Sequence, residues 1–309
     1  MREIARVMDR SVSTISDEIQ RNSVKGIYTP IKAQHKAYAR RRNAKYQGKK
    51  IVDNHQLREF VEHHLLNGNS PEAIAARLRK GYDGLPYASR DTIETYIASP
   101  YGRQLEYRLA QMRKVYKKRR KKRVKTGSLG DGRKNIIERP IEANERQRIG
   151  DTEADFIVSG KDGEGYLLTV VDRRCRIGYI RKIYPVTIAN MEKAFLEVLE
   201  VFPWLLTITT DNDLLFQHHE RLEELLGVPI YFCDPYSSWQ KGTVERYNRE
   251  VRKYIPKGSN ILLYDTQYIQ WIEDRLNNRF MGVLDSKTPC EYLTEDIGDD
   301  PIQIPPQKN

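Results

Sequence analysis

Between residues 151 and 254, apolar runs of strand length alternate with helical periodicity in an order that few folds accommodate. DFIVSG, YLLTVVDRR and IGYIRKI read as three consecutive strands, joined by the turn-rich GKDGEG and the short RRCR. The helix NMEKAFLEVLEVF follows, then strand LLTITTDN, helix HHERLEELLG, strand IYFCD and a helix from about Thr243 to Tyr254. A three-strand meander followed by strand–helix repeats requires a mixed α/β sheet with helices packed on it. A last amphipathic helix carries Ile269, Ile272 and Leu276 on one side.

That order suits an RNase H-like fold, and it gives three acids a common address. Asp155 opens the first strand, Asp211 closes the fourth, and Glu245 sits on the first turn of a helix that can cross the sheet. In such a sheet the first and fourth strands are neighbours. Clustered carboxylates repel one another unless a cation holds them. Mg²⁺ takes one or two carboxylates plus substrate phosphate oxygens. Two such ions about 4 Å apart can activate an attacking oxygen and stabilise a leaving one. The expectation is therefore metal-dependent phosphoryl transfer with two Mg²⁺, for which Mn²⁺ can substitute. Spacing alone leaves other triples open, since the chain holds 42 acids.

Charge points to the substrate. The net charge of +11 is split: residues 1–150 carry 35 Lys+Arg against 16 Asp+Glu, whereas residues 151–309 carry 18 against 26. A basic front half suits a polyanion, because neutralising phosphates releases counterions. In REIARVMDRSVSTISDEIQRN, Ile4, Ala5 and Met8 form one apolar stripe, Ser11 can cap a second helix, and Ile15 and Ile19 face inward. Two short helices across a tight turn suit a helix-turn-helix. Its second helix would present Ser13, Thr14 and Ser16 to base edges, with Arg10 and Arg21 at its ends. An ordinary helical hairpin fits the spacing equally well. A basic helix through AQHKAYARRR follows.

A second pair repeats the logic: a helix with Leu57, Val61, His64 and Leu65 on one side, then PEAIAARLRK capped by Ser70, then DTIETYIAS opened at Ser89 or Arg90. RKVYKKRRKKRVK, basic at ten of thirteen positions, reads as a linker lying along phosphates, with Lys117, Lys118, Arg119 and Arg120 at its centre. The expected divisions are 1–45 and 51–112 for the two helix-turn-helix units, 113–145 for the basic linker and 146–309 for the catalytic domain. The fold class is thus all-α units followed by an α/β RNase H-like domain with a mixed sheet.

Several segments resemble the IS-thirty family of insertion-sequence transposases. GDTEADFIV is similar to its first-aspartate motif, TTDN to its second, and the long DPYSSWQKGTVERYNREVRKYIPKG to its third. RLNNR…KTPCEYL and both helix-turn-helix segments resemble it as well, so the likeness covers nearly the whole chain. It implies that Asp155, Asp211 and Glu245 are the catalytic, metal-binding carboxylates of a DDE-type DNA transposase. Such an enzyme binds terminal inverted repeats, cuts the element's ends and joins the freed 3′-OH to target DNA. The implied partners are double-stranded DNA and further copies of the chain. Lys241, Arg246 and Arg252 join the DNA-binding candidates beside Glu245, although a solvated helix face suits them nearly as well, as it does Asn248.

The departures from the pattern are local. Asp151, where the family often has a different residue, is a rival first ligand. Asp213 stands where glycine is usual and is expected at the surface. Phe280 replaces the usual proline after Asn-Asn-Arg. Met1 falls within the first unit, where members usually carry a further helix ahead, so a shortened unit is expected. Trp239 is expected to pack at a loop–helix junction, Asp172 to pair with Arg173 or Arg174, and His218-His219 to open a helix. Cys175, Cys233 and Cys290 lack metal-type spacing, and neither a signal peptide nor a membrane span is legible. A cytoplasmic, nucleoid-associated protein is expected. The rival from another class is a catalytically inactive DNA-binding regulator derived from a transposase; an RNA-cleaving nuclease is weaker, because helix-turn-helix units suit B-form grooves.

Overall fold

The computed structural model describes residues 1–44, 49–113, 132–234 and 237–297. The front of the chain is helical. α1 (Arg2–Val7) and α2 (Val12–Asn22) meet through Ala5 and Ile15, and α3 (Pro30–Ala44) lies against α2. Ser11 caps α2 as its sequence requires, its Oγ accepting the Thr14 N–H at 3.1 Å. Lys36 of α3 donates to the Ser23 carbonyl at 2.6 Å and Arg40 to the Asn22 side chain, which is buried. The stripe expected through Ile4, Ala5 and Met8 closes only at Ala5. Ile4 and Met8 stay exposed, because six residues of helix bring one side chain onto α2.

The second unit has its own core. α4 (Lys49–Asp53), α5 (His55–Leu66), α6 (Pro71–Lys80), α7 (Arg90–Ile97) and α8 (Arg103–Arg113) enclose Ile51, Leu57, Val61, Ile74, Ile93 and Tyr96. Burying each such side chain contributes roughly 1.5–3 kcal/mol. Ser70 and Ser89 cap α6 and α7, with Pro71 at the first helical position of α6. Phe280, far along the chain, inserts into this core and stacks on Phe60, with ring centroids 6.1 Å apart.

The rest is one six-stranded sheet. β1 (Lys134–Asn135) is followed by α9 (Ile141–Glu145), β2 (Asp151–Val158), β3 (Tyr166–Asp172), β4 (Gly178–Ile183), α10 (Ile188–Val201), β5 (Thr207–Thr210), α11 (His219–Leu226), β6 (Ile230–Phe232), α12 (Gly242–Val251), α13 (Thr266–Asn277) and α14 (Pro289–Ile297). The strand order is β1-β6-β5-β2-β3-β4. β2, β3 and β4 form the antiparallel meander, while β5, β6 and β1 run parallel beside β2. This mixed sheet fits an RNase H-like core. Residues 132–145, expected in the linker, are instead built into the domain: β1 pairs with β6, and Arg139 reaches Thr209 of β5 at 3.0 Å.

Alternation along the strands sorts the two faces. Ala154, Leu168, Val170 and Ile208 point to a core beneath α10 and α11, filled by Phe195, Phe216 and Leu222. Ile157, Leu167, Val171 and Ile180 point the other way, to Val244, Tyr247 and Val251 of α12 and Ile269, Ile272 and Leu276 of α13. α13 also closes the sheet edge. Asn277 accepts the Gly178 N–H at 2.9 Å and donates to its carbonyl at 2.8 Å, and Glu273 accepts the Ile180 N–H at 2.5 Å. Edge groups of β4 that would otherwise template pairing are thereby occupied.

Candidate active site

β2 begins four residues earlier than its apolar run predicts, so Asp155 lies inside the strand and not at its start. The polar start DTE is strand because its partners are internal. Asp151, fully buried, accepts from Arg148 at 2.8 Å and from the Thr207 hydroxyl at 2.8 Å. Glu153 faces Arg173 at 3.1 Å. The parallel register pairs Asp151 with Thr207 and Glu153 with Thr209. Continued by two residues, it sets Asp155 beside Asp211 on the face that α12 covers.

A cation already joins that pair. Lys241, in the 3-10 turn leading into α12, places Nζ 3.0 Å from Asp155 Oδ1 and 3.1 Å from Asp211 Oδ2. The Lys241 side chain is 5% exposed and that of Asp211 51%. Burial works against the ammonium, and the two carboxylates outweigh it, so its pKa stands above that of ordinary lysine. Asn248 donates to the other Asp155 oxygen at 2.8 Å. Glu245 lies on the same helical stripe, four residues after Lys241 and three before Asn248, and is half-buried. Among the described residues, no three His, Cys, Asp or Glu side chains come together as a ready metal site. The structure thus brings Asp155 and Asp211 onto one point and sets Glu245 on the helix that covers them, without closing a triad.

Glu153 was not singled out from the sequence, yet it ties the site together. Its Oε2 accepts the N–H groups of Thr243 and Val244 at 2.7 and 2.9 Å. A buried carboxylate on β2 therefore satisfies two free donors at the start of α12 and complements the helix dipole. It stands two residues before Asp155, and its two donors stand just before Glu245. The signal in the sequence was the strict alternation of Asp151, Glu153 and Asp155.

Other candidates fall differently. Asp213 is half-buried, not at the surface: its carboxylate accepts the Leu215 N–H at 2.9 Å, and burial, then Asp211 and Asp155 nearby, raise its pKa. Trp239 does not pack at the junction; it is 74% exposed in the turn beside Lys241. Asp172 takes backbone N–H groups of Gly150, Arg174 and Cys175 at 2.7–2.8 Å and not a guanidinium, because the tight turn after β3 points the last two donors at it and the residue before β2 supplies the first. Arg252 donates to the Val158 carbonyl at 3.0 Å, and Lys241 faces carboxylates and not solvent. Arg246 is exposed. His219 opens α11, packed on Phe232. Arg10, just ahead of α2, and Ser13, Thr14 and Arg21 on it are exposed, and Ser16 is half-buried. The Ser13 and Thr14 hydroxyls already bond Ser11, at 2.8 and 2.7 Å. Lys117, Lys118, Arg119 and Arg120 lie outside the described residues.

The chain is 34% identical to a transposase for insertion sequence element IS4351 from Bacteroides fragilis, over 97% of its length and 91% of the relative's. It is 31% identical to the IS1086 transposase of Cupriavidus metallidurans, over 99% and 92% of the two chains. The transposase InsI of element IS30C from Escherichia coli is 29% identical over 96% and 79%. The chain belongs to the IS-thirty (IS30) family of insertion-sequence transposases. No family model matches it. Among solved structures, the catalytic core domain of BIV integrase aligns with 47% of this transposase and 95% of its own chain, at 21% identity and a TM-score of 0.38. No helix among the transposase's described residues is long and apolar enough to cross a membrane.

Proposed function

We propose that this transposase cuts the DNA ends of its insertion sequence and joins the 3′-OH to target DNA, with Asp155, Asp211 and Glu245 as the catalytic carboxylates. One observation carries the reading: carboxylates from two adjacent parallel strands converge on a single buried cation, under the helix that bears Glu245. A divalent cation seated where the Lys241 ammonium stands would find oxygens of Asp155 and Asp211, leaving its remaining positions to DNA phosphate oxygens. When bound, Mg²⁺ or Mn²⁺ supplies the charge that activates water or the 3′-OH and stabilises the leaving oxygen. Asn248 orients Asp155, Glu153 fixes the start of α12, and Lys241 neutralises the Asp155–Asp211 pair in the metal-free protein.

The helix pairs α1–α2 and α6–α7 act in this reading as helix-turn-helix units on the element's ends, with Arg10 and Arg21 on phosphates. At least two copies assemble to hold both ends. The test uses purified full-length protein, DNA carrying the element's ends, and Mg²⁺ or Mn²⁺. Wild type should cleave at the ends. Glu245→Gln should bind the same DNA and cut at least about a hundredfold more slowly, the loss of one group that acts at the transition state. Tight binding without cleavage by wild type in either metal would refute the proposal.

A further inference from the structure

A cleft of about 650 Å³ lies beside the site just described, between the start of α6 at Ser70 and the flank of α12 at Thr243, Arg246 and Tyr247. A shallower depression of about 410 Å³ continues it, sharing Arg146, Arg176 and Val283. Arginine dominates the polar lining. The side chains of Arg146 and Arg246 are exposed and make no ion pair or hydrogen bond among the described residues. Arg176 spends one nitrogen on the Thr243 hydroxyl at 3.0 Å, and its Nε is buried without a partner. The carboxylates do not balance them: Glu250 is engaged by Arg279 and Lys253, and Glu72 is the other acid on the wall. Burial, and then Arg146 nearby, lower the pKa of Arg176 against the opposing pull of Glu153 and Asp172.

Gly242 adds a second kind of sign. It is the first residue of α12, with φ −61° and ψ −25°, and a Cβ built on it meets nothing within 4 Å. Neither backbone conformation nor packing inside the chain asks for glycine there, and alanine would suit the helix better. A bare backbone on the cleft wall leaves room for something outside the chain to approach closely.

The geometry points to this groove as a track for one DNA phosphodiester strand, held by Arg146, Arg176 and Arg246 alongside Glu245. Guanidiniums without carboxylate partners on a concave wall match phosphate oxygens, which accept their forked donors. The groove runs between the second helical unit and α12, so DNA seated in it would span both parts of the transposase. The inference rests on the proposed function in taking DNA as the substrate, and it is tested without cleavage.

The probe is a fluorescein-labelled duplex of random sequence, bound to the full chain in EDTA over a KCl series and read by anisotropy. Arg146→Gln and Arg246→Gln both replace exposed side chains, so the melting temperature should not move. The slope of log K against log salt should fall by about 0.9 for each and about 1.8 for the pair. Lys193→Gln, on α10 beneath the opposite face of the sheet, should leave it unchanged. Gly242→Ala should weaken binding without loss of stability. An unchanged slope in the double variant overturns the groove, as does an equal fall in Lys193→Gln. Slope changes as predicted in a protein that never cuts would keep the groove and remove the catalytic reading; normal cutting with an unchanged slope would do the reverse.

Discussion

Glu153 shows how one residue can set the geometry of others. Its carboxylate joins the strand of Asp155 to the helix of Glu245 through two backbone N–H groups, while Arg173 compensates its charge in a buried position. Glu153→Ala strands both donors and the guanidinium, and should cost about 3–5 kcal/mol of stability. Glu153→Gln keeps an accepting oxygen and should cost about 1–2 kcal/mol. Urea denaturation measures both. In Glu153→Gln the cleavage rate at saturating DNA should fall while DNA affinity holds; equal rates per folded molecule would show that the tie is structural only. That Asp155 and Asp211 share a face was legible in the sequence, because alternation along a strand is strict. Lys241 between them was not: it reads as a contact for DNA phosphate or a solvated cation, since nothing in a linear pattern reports which charge a turn folds inward.

Elements were legible where apolar periodicity carried them, and misplaced where polar residues form strand or apolar ones stay exposed. β2 was cut short because Asp151, Thr152 and Glu153 look like loop until their partners in β5 and the nearby arginines are known. β1 was missed, since two residues carry no period. α12, in contrast, follows its pattern, and one glycine sets its seat. A Cβ on Gly178 would lie 2.3 Å from the Tyr247 ring, so β4 and α12 approach as closely as they do only with glycine there. Gly178→Ala should push α12 away at a cost of about 1–3 kcal/mol. Thermal unfolding checks the cost, and cleavage should fall by more than the folded fraction does, because Glu245 rides on the displaced helix. Full activity in a destabilised Gly178→Ala protein would mean that α12 need not be fixed to this precision.

At the scale of the whole molecule, the charge split announced a basic helical front and an acidic α/β back, and the structure shows how they are joined. Arg77 of α6 holds Glu291 at 2.8 Å and Asp83 at 2.9 Å, and the Phe280 N–H donates to Asn69 at 2.8 Å. The Phe280 ring packs on His64, with centroids 4.4 Å apart. What looked like a departure at Phe280 is the plug of this joint; no sequence period links residues so far apart. Burial, then His63 and Arg77, pull the His64 pKa to about 4, against the opposing pull of Asp83 and Glu291. The unfolded chain takes its proton near 6.5, so stability is full above that pH and is lost as pH falls from about 6.5 towards 4. His64→Phe should flatten that part of the stability–pH curve, measured by thermal unfolding. An unchanged curve would place the acid sensitivity elsewhere.

The most direct measurement is a Mn²⁺ titration of the DNA-free protein, followed by electron paramagnetic resonance. If Asp155 and Asp211 form the cation site that Lys241 now fills, wild type should bind Mn²⁺ saturably. Asp155→Asn should then bind at least about tenfold more weakly, and Lys241→Gln more tightly than wild type. Unchanged affinity in Asp155→Asn, with the loss appearing in Asp151→Asn, would contradict the account and move the site about four residues back along the strand.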